Sequence, residues 1–156
     1  MKLYDEGNKL TKEDIVKYEM ELNIKFPEDY INFLLESNGG TPEEDLVFDF
    51  IDVVNNETNS TDIREFYIFY EENEDMYDDI MEVNSIMREE ETISEDYFVI
   101  ADDSAGNPIC MKINGDDKGT IFFGDHELED ADTGYILMSK VADSFSEFIG
   151  KLYILD

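Results

Sequence analysis

A formal charge of −30 at pH 7 on 156 residues is the feature that most constrains this chain. Self-repulsion on that scale opposes compaction, whereas solubility alone asks for a net charge of only about 2 to 8 in magnitude. The chain can fold only if its apolar residues outweigh that repulsion. They make up 42% of the sequence and include 11 Phe and 9 Tyr, enough for a real core. Adaptation to salt and neutral drift in an acidic proteome are the alternatives to a functional origin of the charge.

The charge is also uneven. Residues 1–25 carry five basic and six acidic side chains, and residues 112–156 carry four and ten. Between them, residues 26–111 hold only Arg64 and Arg88 against 25 acids, net −23. A surface of this kind repels nucleic acid and anionic lipid, because a phosphate backbone is held by Lys and Arg that displace its counterions. Direct nucleic-acid or membrane binding is therefore excluded as an expectation, and a basic protein becomes the natural partner.

Cys110 is the one cysteine, so no intramolecular disulfide is possible. The opening MKLYDEGNKL lacks the apolar core of a signal peptide, and no apolar run reaches the length of about 18 residues that a membrane span needs. A cytoplasmic location is expected. The sequons at Asn56 and Asn59 then read as chance matches in a polar turn.

Local patterns predict the elements. Thr11-Lys-Glu-Asp14 has the form of a capping box and precedes Ile15, Tyr18 and Leu22 at helical spacing, so a first helix should run to about Asn23. Pro27 opens a second helix, which Ser37-Asn38-Gly39-Gly40 ends. Leu46–Val54 and Arg64–Tyr70 read as the arms of a hairpin, with Asn55–Asp62 as its long polar turn. From Asp75 to about Glu90, Met76, Ile80, Val83 and Met87 recur among carboxylates, which predicts an amphipathic helix with a negative outer face. Strands follow at Tyr97–Ala101, Pro108–Ile113, Thr120–Phe123 and Tyr135–Met138, and Phe145, Phe148, Ile149 and Leu152 mark a closing helix. The expected fold is α+β, a single domain over residues 1–156. A central, mostly antiparallel sheet is flanked by N-terminal helices, a middle acidic helix and a C-terminal helix.

Chemical motifs are sparse. Asn114-x-Asp116-x-Lys118-Gly119, with Asp125 twelfth, partly follows a calcium-binding EF-hand loop. Lysine stands where an oxygen ligand belongs and strands flank it, so a plain hairpin turn is the better reading. His126 is the only histidine, which excludes multi-histidine metal sites, and no nucleophile elbow or phosphate-binding loop is present. No catalytic, metal or cofactor-binding residues are expected. Cys110 reads as a buried, inert thiol on an apolar strand.

Three blocks in order resemble a known family. Phe26-Pro27-Glu28-Asp29-Tyr30, continuing through Phe33-Leu34 to Asn38-Gly39-Gly40, resembles the N-terminal signature of the Smi/Knr-type, or SUKH, superfamily. Ile100-Ala-Asp102-Asp103-Ser-Ala-Gly106-Asn107 running into Ile109-Cys110, and Asp143-Ser-Phe145-Ser-Glu-Phe148, match it further along. The resemblance implies an α+β fold without catalytic residues. It further implies, for the bacterial branch, an immunity protein that binds a cognate toxin domain, often a nuclease, and blocks its active site; a regulatory or scaffold module of the same family is the alternative. The acidic loops are the expected contact residues: Glu43, Glu44, Asp45, Asp49, Asp102, Asp103, Asp116 and Asp117.

Overall fold

The computed structural model describes residues 1–72 and 76–155. A short strand β1 (Leu3–Tyr4) leads into helix α1 (Lys12–Leu22). The capping box is formed: Asp14 N–H donates to Thr11 Oγ1 at 3.2 Å and Thr11 N–H to Asp14 Oδ2 at 2.8 Å. Asn23, left-handed at φ 55°, ends the helix. Helix α2 (Glu28–Glu36) follows Pro27, with Glu28 and Asp29 in its first turn. The chain then passes so close beneath its own core that a Cβ on Gly39 (φ 70°) would lie 2.5 Å from the Tyr67 carbonyl oxygen, which explains glycine there.

Strand β2 (Thr41–Pro42) pairs with β1. Strand β3 (Leu46–Ile51) then pairs antiparallel with β4 (Thr58–Asp62), and this corrects the expected hairpin. The segment read as polar turn is itself the second arm. Its Thr-Asn-Ser-Thr-Asp sequence suits a solvated edge strand, where no apolar alternation is required. Arg64–Tyr70, the expected second arm, holds only the two-residue strand β5 (Glu65–Phe66) and then threads the core. Buried on consecutive residues from Glu65 to Phe69, it reads as strand-like without being a hairpin arm.

Helix α3 (Ile80–Glu89) is shorter than its apolar pattern. The expected start at Asp75 lies outside the described residues, and Asp79 caps the helix, its carboxylate accepting from Met81 N–H at 3.1 Å. Strands β6 (Tyr97–Asp102), β7 (Pro108–Lys112), β8 (Ile121–Glu129) and β9 (Ile136–Ala142) form a meander, then α4 (Phe145–Lys151) and β10 (Tyr153–Ile154) close the chain. Both of the last two meander strands run beyond the stretches that predicted them: β8 continues into the exposed His126, Glu127 and Glu129, and β9 into the buried Val141 and Ala142. The sheets, in order β5-β6-β7-β8-β9 and β10-β3-β4, are antiparallel throughout. Helices and strands mix in one α+β body. Among the described residues no helix is long and apolar enough to cross a membrane.

Aromatic rings fill the interior. Phe26 meets Tyr30 at 5.4 Å and Phe98 at 5.2 Å, Tyr30 meets Phe145 at 5.2 Å, and Phe48 meets Phe148 at 5.3 Å. Cys110 is fully buried on β7, and burial pushes its thiol pKa far up, which leaves it protonated and inert.

Two buried asparagines stand in for missing strands. Asn38 Nδ2 donates to Asn8 O and Phe69 O at 2.9 Å each, while its Oδ1 accepts from Phe69 N–H at 3.0 Å. Asn84 on α3 does the same for β6: Nδ2 donates to Ile80 O and Val99 O at 2.9 Å each, and Val99 N–H donates to Oδ1 at 2.7 Å. A backbone edge with no neighbouring strand is thereby satisfied by a side-chain amide. Asn84→Ala leaves both Val99 groups unpaired and should cost about 3 kcal/mol in urea denaturation. Ser85→Ala, at an exposed neighbour, should stay within about 0.5 kcal/mol.

Candidate partner-binding surfaces

The eight acidic residues singled out from the sequence do not form one patch. Glu43, Glu44 and Asp45 are exposed in the loop before β3. Glu43 accepts from Tyr4 Oη at 2.8 Å and lies 3.5 Å from Lys2 Nζ. Asp49 is exposed on β3 itself and accepts from Tyr153 Oη at 2.7 Å. Asp116 and Asp117 are exposed in the β7–β8 turn, with Asp117 3.4 Å from Lys112 Nζ. That turn and the β6–β7 turn sit at opposite ends of β7, separated by a five-residue strand that spans about 17 Å.

Asp102 and Asp103 are not exposed loop carboxylates, since both are buried. Asp103 organises the β6–β7 turn by accepting from Ala105 N–H at 3.0 Å, Asn107 N–H at 2.8 Å and Asn107 Nδ2 at 3.0 Å, and it also accepts from Thr61 Oγ1 at 2.8 Å. Asn107 in turn accepts from His126 N–H at 3.0 Å and touches the imidazole, which holds that exposed histidine against the turn. The EF-hand-like segment is a hairpin turn, with Asp125 out of reach inside β8. No group of three or more acidic, His or Cys side chains among the described residues is arranged to hold a metal ion.

Asp102 belongs to a buried network that sequence patterns did not flag. Its carboxylate accepts from Tyr67 Oη at 2.7 Å and pairs with Arg64, while Arg64 Nη2 also lies 2.9 Å from Glu65 Oε1. Glu65 and Asp102 face each other across β5 and β6. The half-exposed guanidinium also packs over the Tyr77 ring at 5.1 Å. One arginine thus serves two buried carboxyls. Burial pushes the Asp102 carboxyl up, against Arg64 and Tyr67, which pull it down. Glu65, raised first by burial and further by Asp102 and Asp78, is pushed from 4.5 to about 7 despite Arg64.

The folded chain therefore holds the Glu65 proton more tightly than the unfolded chain. Stability from this group is full below about pH 4.5, falls as pH rises to about 7 and is level above. Glu65→Gln should flatten the decline of the urea midpoint between pH 5 and 7.5, and equal slopes in the two proteins would remove this assignment.

Outside these positions, α1, the segment after β5 and the start of α3 enclose a groove of about 360 Å³. Tyr18 and Tyr70 lie at its base, Tyr18 stacked on Phe69 at 4.5 Å and donating to Tyr70 O at 3.1 Å. Glu21, Glu71, Glu72, Asp79 and Glu82 line it, with Asp14 in the adjoining depression, and among the described residues Lys17 is the one cation on its walls. The Tyr18 hydroxyl registers this field: its pKa is raised first by burial and then by Asp14, Glu21, Glu71 and Asp79. Aromatic base and anionic walls suit a guanidinium or ammonium group. Tyr18 read in the sequence as ordinary core, and only the tertiary fold brings residues of α1, the segment after β5 and α3 to one groove.

Comparison with known proteins agrees with this architecture. The SMI1 / KNR4 family (SUKH-1) matches residues 9–151. A curated relative, the SPbeta prophage-derived uncharacterized protein YokK of Bacillus subtilis (strain 168), is 30% identical over 161 aligned positions, covering 91% of this chain and 74% of the relative. With all three motif blocks inside the matched region, the chain belongs to the SMI1 / KNR4 family (SUKH-1).

Proposed function

We propose that the chain is a cytoplasmic immunity protein that binds the catalytic domain of a cognate toxin, basic and of the nuclease class, and occludes its active site. The observation that carries this reading is the groove between α1 and α3, where Glu21, Glu71, Glu72 and Glu82 line the same walls as two tyrosines in a family associated with immunity proteins. A nuclease cleft built to hold phosphates is basic. A folded polyanion competes for that cleft by offering carboxylates where the substrate offers phosphates. Complementary fields speed encounter by about 10- to 1,000-fold at low salt, and an aromatic anchor supplies the short-range part of the affinity.

Glu43, Glu44, Asp45 and Asp49 form a second candidate contact group, and Asp116 with Asp117 a third, all exposed. Asp102 and Asp103 are left out of the contact set because both are buried, Asp103 with both oxygens hydrogen-bonded and Asp102 with its Oδ2 held by Arg64 and Tyr67. Binding as a regulatory or scaffold module without a toxin is the second reading, favoured if no toxin gene adjoins this one.

Co-expression with the adjacent gene product is the test. Glu71→Lys with Glu72→Lys and Glu82→Lys should slow association by at least tenfold at low salt and abolish rescue from the toxin. Wild-type association should slow as salt screens the field. Rescue that survives charge reversal of the groove, and neutralisation of the other two groups, would remove the contact assignment. A wild type that rescues nothing would remove the immunity reading itself.

A further inference from the structure

The β3–β4 hairpin, which the groove does not use, has the makings of a separate docking surface. Strand β4 is an edge, since no described strand lies beyond it in the order β10-β3-β4. Its register against β3 is unbroken from Val47↔Asp62 to Ile51↔Thr58. Ile63 N–H donates to Leu46 O at 3.0 Å and Asp52 N–H to Glu57 O at 2.8 Å, which sets the alternation. Asn59 and Thr61 spend their backbone groups on β3, whereas Thr58 and Ser60 turn theirs outward. The outward edge stops near Asp62, where Ser104 N–H donates to the Asp62 carboxylate at 3.0 Å. Natural edges are commonly blunted by Lys, Pro or a bulge, and β4 has none of these.

The side chains around this edge carry their own signal. Ile51, Val53 and Val54 are exposed at 47%, 53% and 63% within four residues of one another. Asp49 and Glu57 flank them, both exposed. The tip is also rigid: Val53 N–H donates to Ser139 Oγ at 3.0 Å, Val54 N–H to Asp52 Oδ1 at 2.8 Å, Glu57 N–H to Asn55 Oδ1 at 2.9 Å and Asn59 Nδ2 to Asp52 Oδ2 at 3.0 Å. Such order is paid for before a partner arrives. From Phe26 to Ile63 the chain holds no Lys or Arg at all, so the hairpin's own side chains offer only negative charge to a partner.

We infer that β4 accepts an extended, Lys- or Arg-bearing segment of a partner protein as an added strand, with Val53 and Val54 as its apolar anchor. Main-chain bonds from Thr58 and Ser60 hold the segment, and the flanking carboxylates select its charge. A second copy of this chain would bring a further −30 to the same edge, which argues for a basic occupant. The inference rests on the immunity reading only for the identity of the partner; the surface itself is independent of it.

The probe is a short peptide of alternating Lys and Val, compared with the same peptide N-methylated at alternate residues, which keeps the charge and removes main-chain pairing. The unmethylated peptide should slow amide exchange at Thr58 and Ser60 and bind at least tenfold more tightly. Ser60→Pro should abolish this difference, with circular dichroism to verify folding. Ser60→Lys, which leaves the backbone donor in place, should weaken the same peptide. Equal binding of the two peptides, protection confined to the α1–α3 groove, or the same amides protected by self-association at rising protein concentration would each overturn the inference. Rescue distinguishes it from the broader reading. If wild type and Val53→Ser/Val54→Ser/Ser60→Lys rescue equally, the toxin is removed as the hairpin's partner, the immunity role stands and the peptide result decides the surface. If wild type fails to rescue, the immunity role falls and the peptide result still decides the hairpin.

Discussion

The contact of Phe145 and Phe148 with the rings around them is what the remaining structure leans on. Phe145 meets Tyr30 at 5.2 Å and Phe33 at 5.0 Å, and Phe148 meets Phe48 at 5.3 Å, with 6.3 Å between the two phenylalanines themselves. One short helix at the end of the chain thus joins the aromatic cluster under α2 to the cluster under β3. A chain with 41 acidic side chains has self-repulsion to offset, and large aromatic surfaces removed from water provide much of the offset. Ser144 caps that helix, accepting from Glu147 N–H at 3.0 Å, so the motif Asp143–Phe148 couples a local stop signal to a long-range contact.

Placing so many carboxylates forces a division of labour among them. Those inside are tied to donors: Asp103 to the β6–β7 turn, Asp79 to the first turn of α3, Asp102 to Arg64 and Tyr67. Glu19 belongs with them, its Oε2 accepting from Phe26 N–H at 2.8 Å and so joining α1 to the start of the first motif block. Those outside have few cations to meet and add their fields instead. The groove between α1 and α3 gathers several of them, and the Tyr18 hydroxyl is raised first by its burial and then by these neighbours.

Much of the helical framework was legible in the sequence because its signals are local. A threonine and an aspartate three residues apart can satisfy one another's backbone groups wherever the helix goes, and Pro27 fits a first turn whatever packs on it. The meander was legible for a related reason, since turn residues and apolar runs alternate at short range. The second arm of the β3 hairpin was not. An edge strand with a solvated face needs no apolar period, so Thr58–Asp62 carried the composition of a turn, while the apolar Glu65–Phe69 stretch earned its hydrophobicity by threading the core. Asp102 and Asp103 misled for the converse reason, because an acidic pair in a glycine-bearing turn looks solvated until the donors that enclose it are known.

The sequence by itself therefore determined the family, the α+β class and the excess of negative charge, all of which depend on composition or on residues near one another in the chain. Tertiary structure alone decided which carboxylates are buried against Arg64, which converge beside Tyr18, and which backbone groups of β4 remain open. Those outcomes depend on contacts such as Thr61 with Asp103, 42 residues apart, and Val53 with Ser139, 86 residues apart. No local pattern encodes them, because each partner's environment is set by the packing of the elements between.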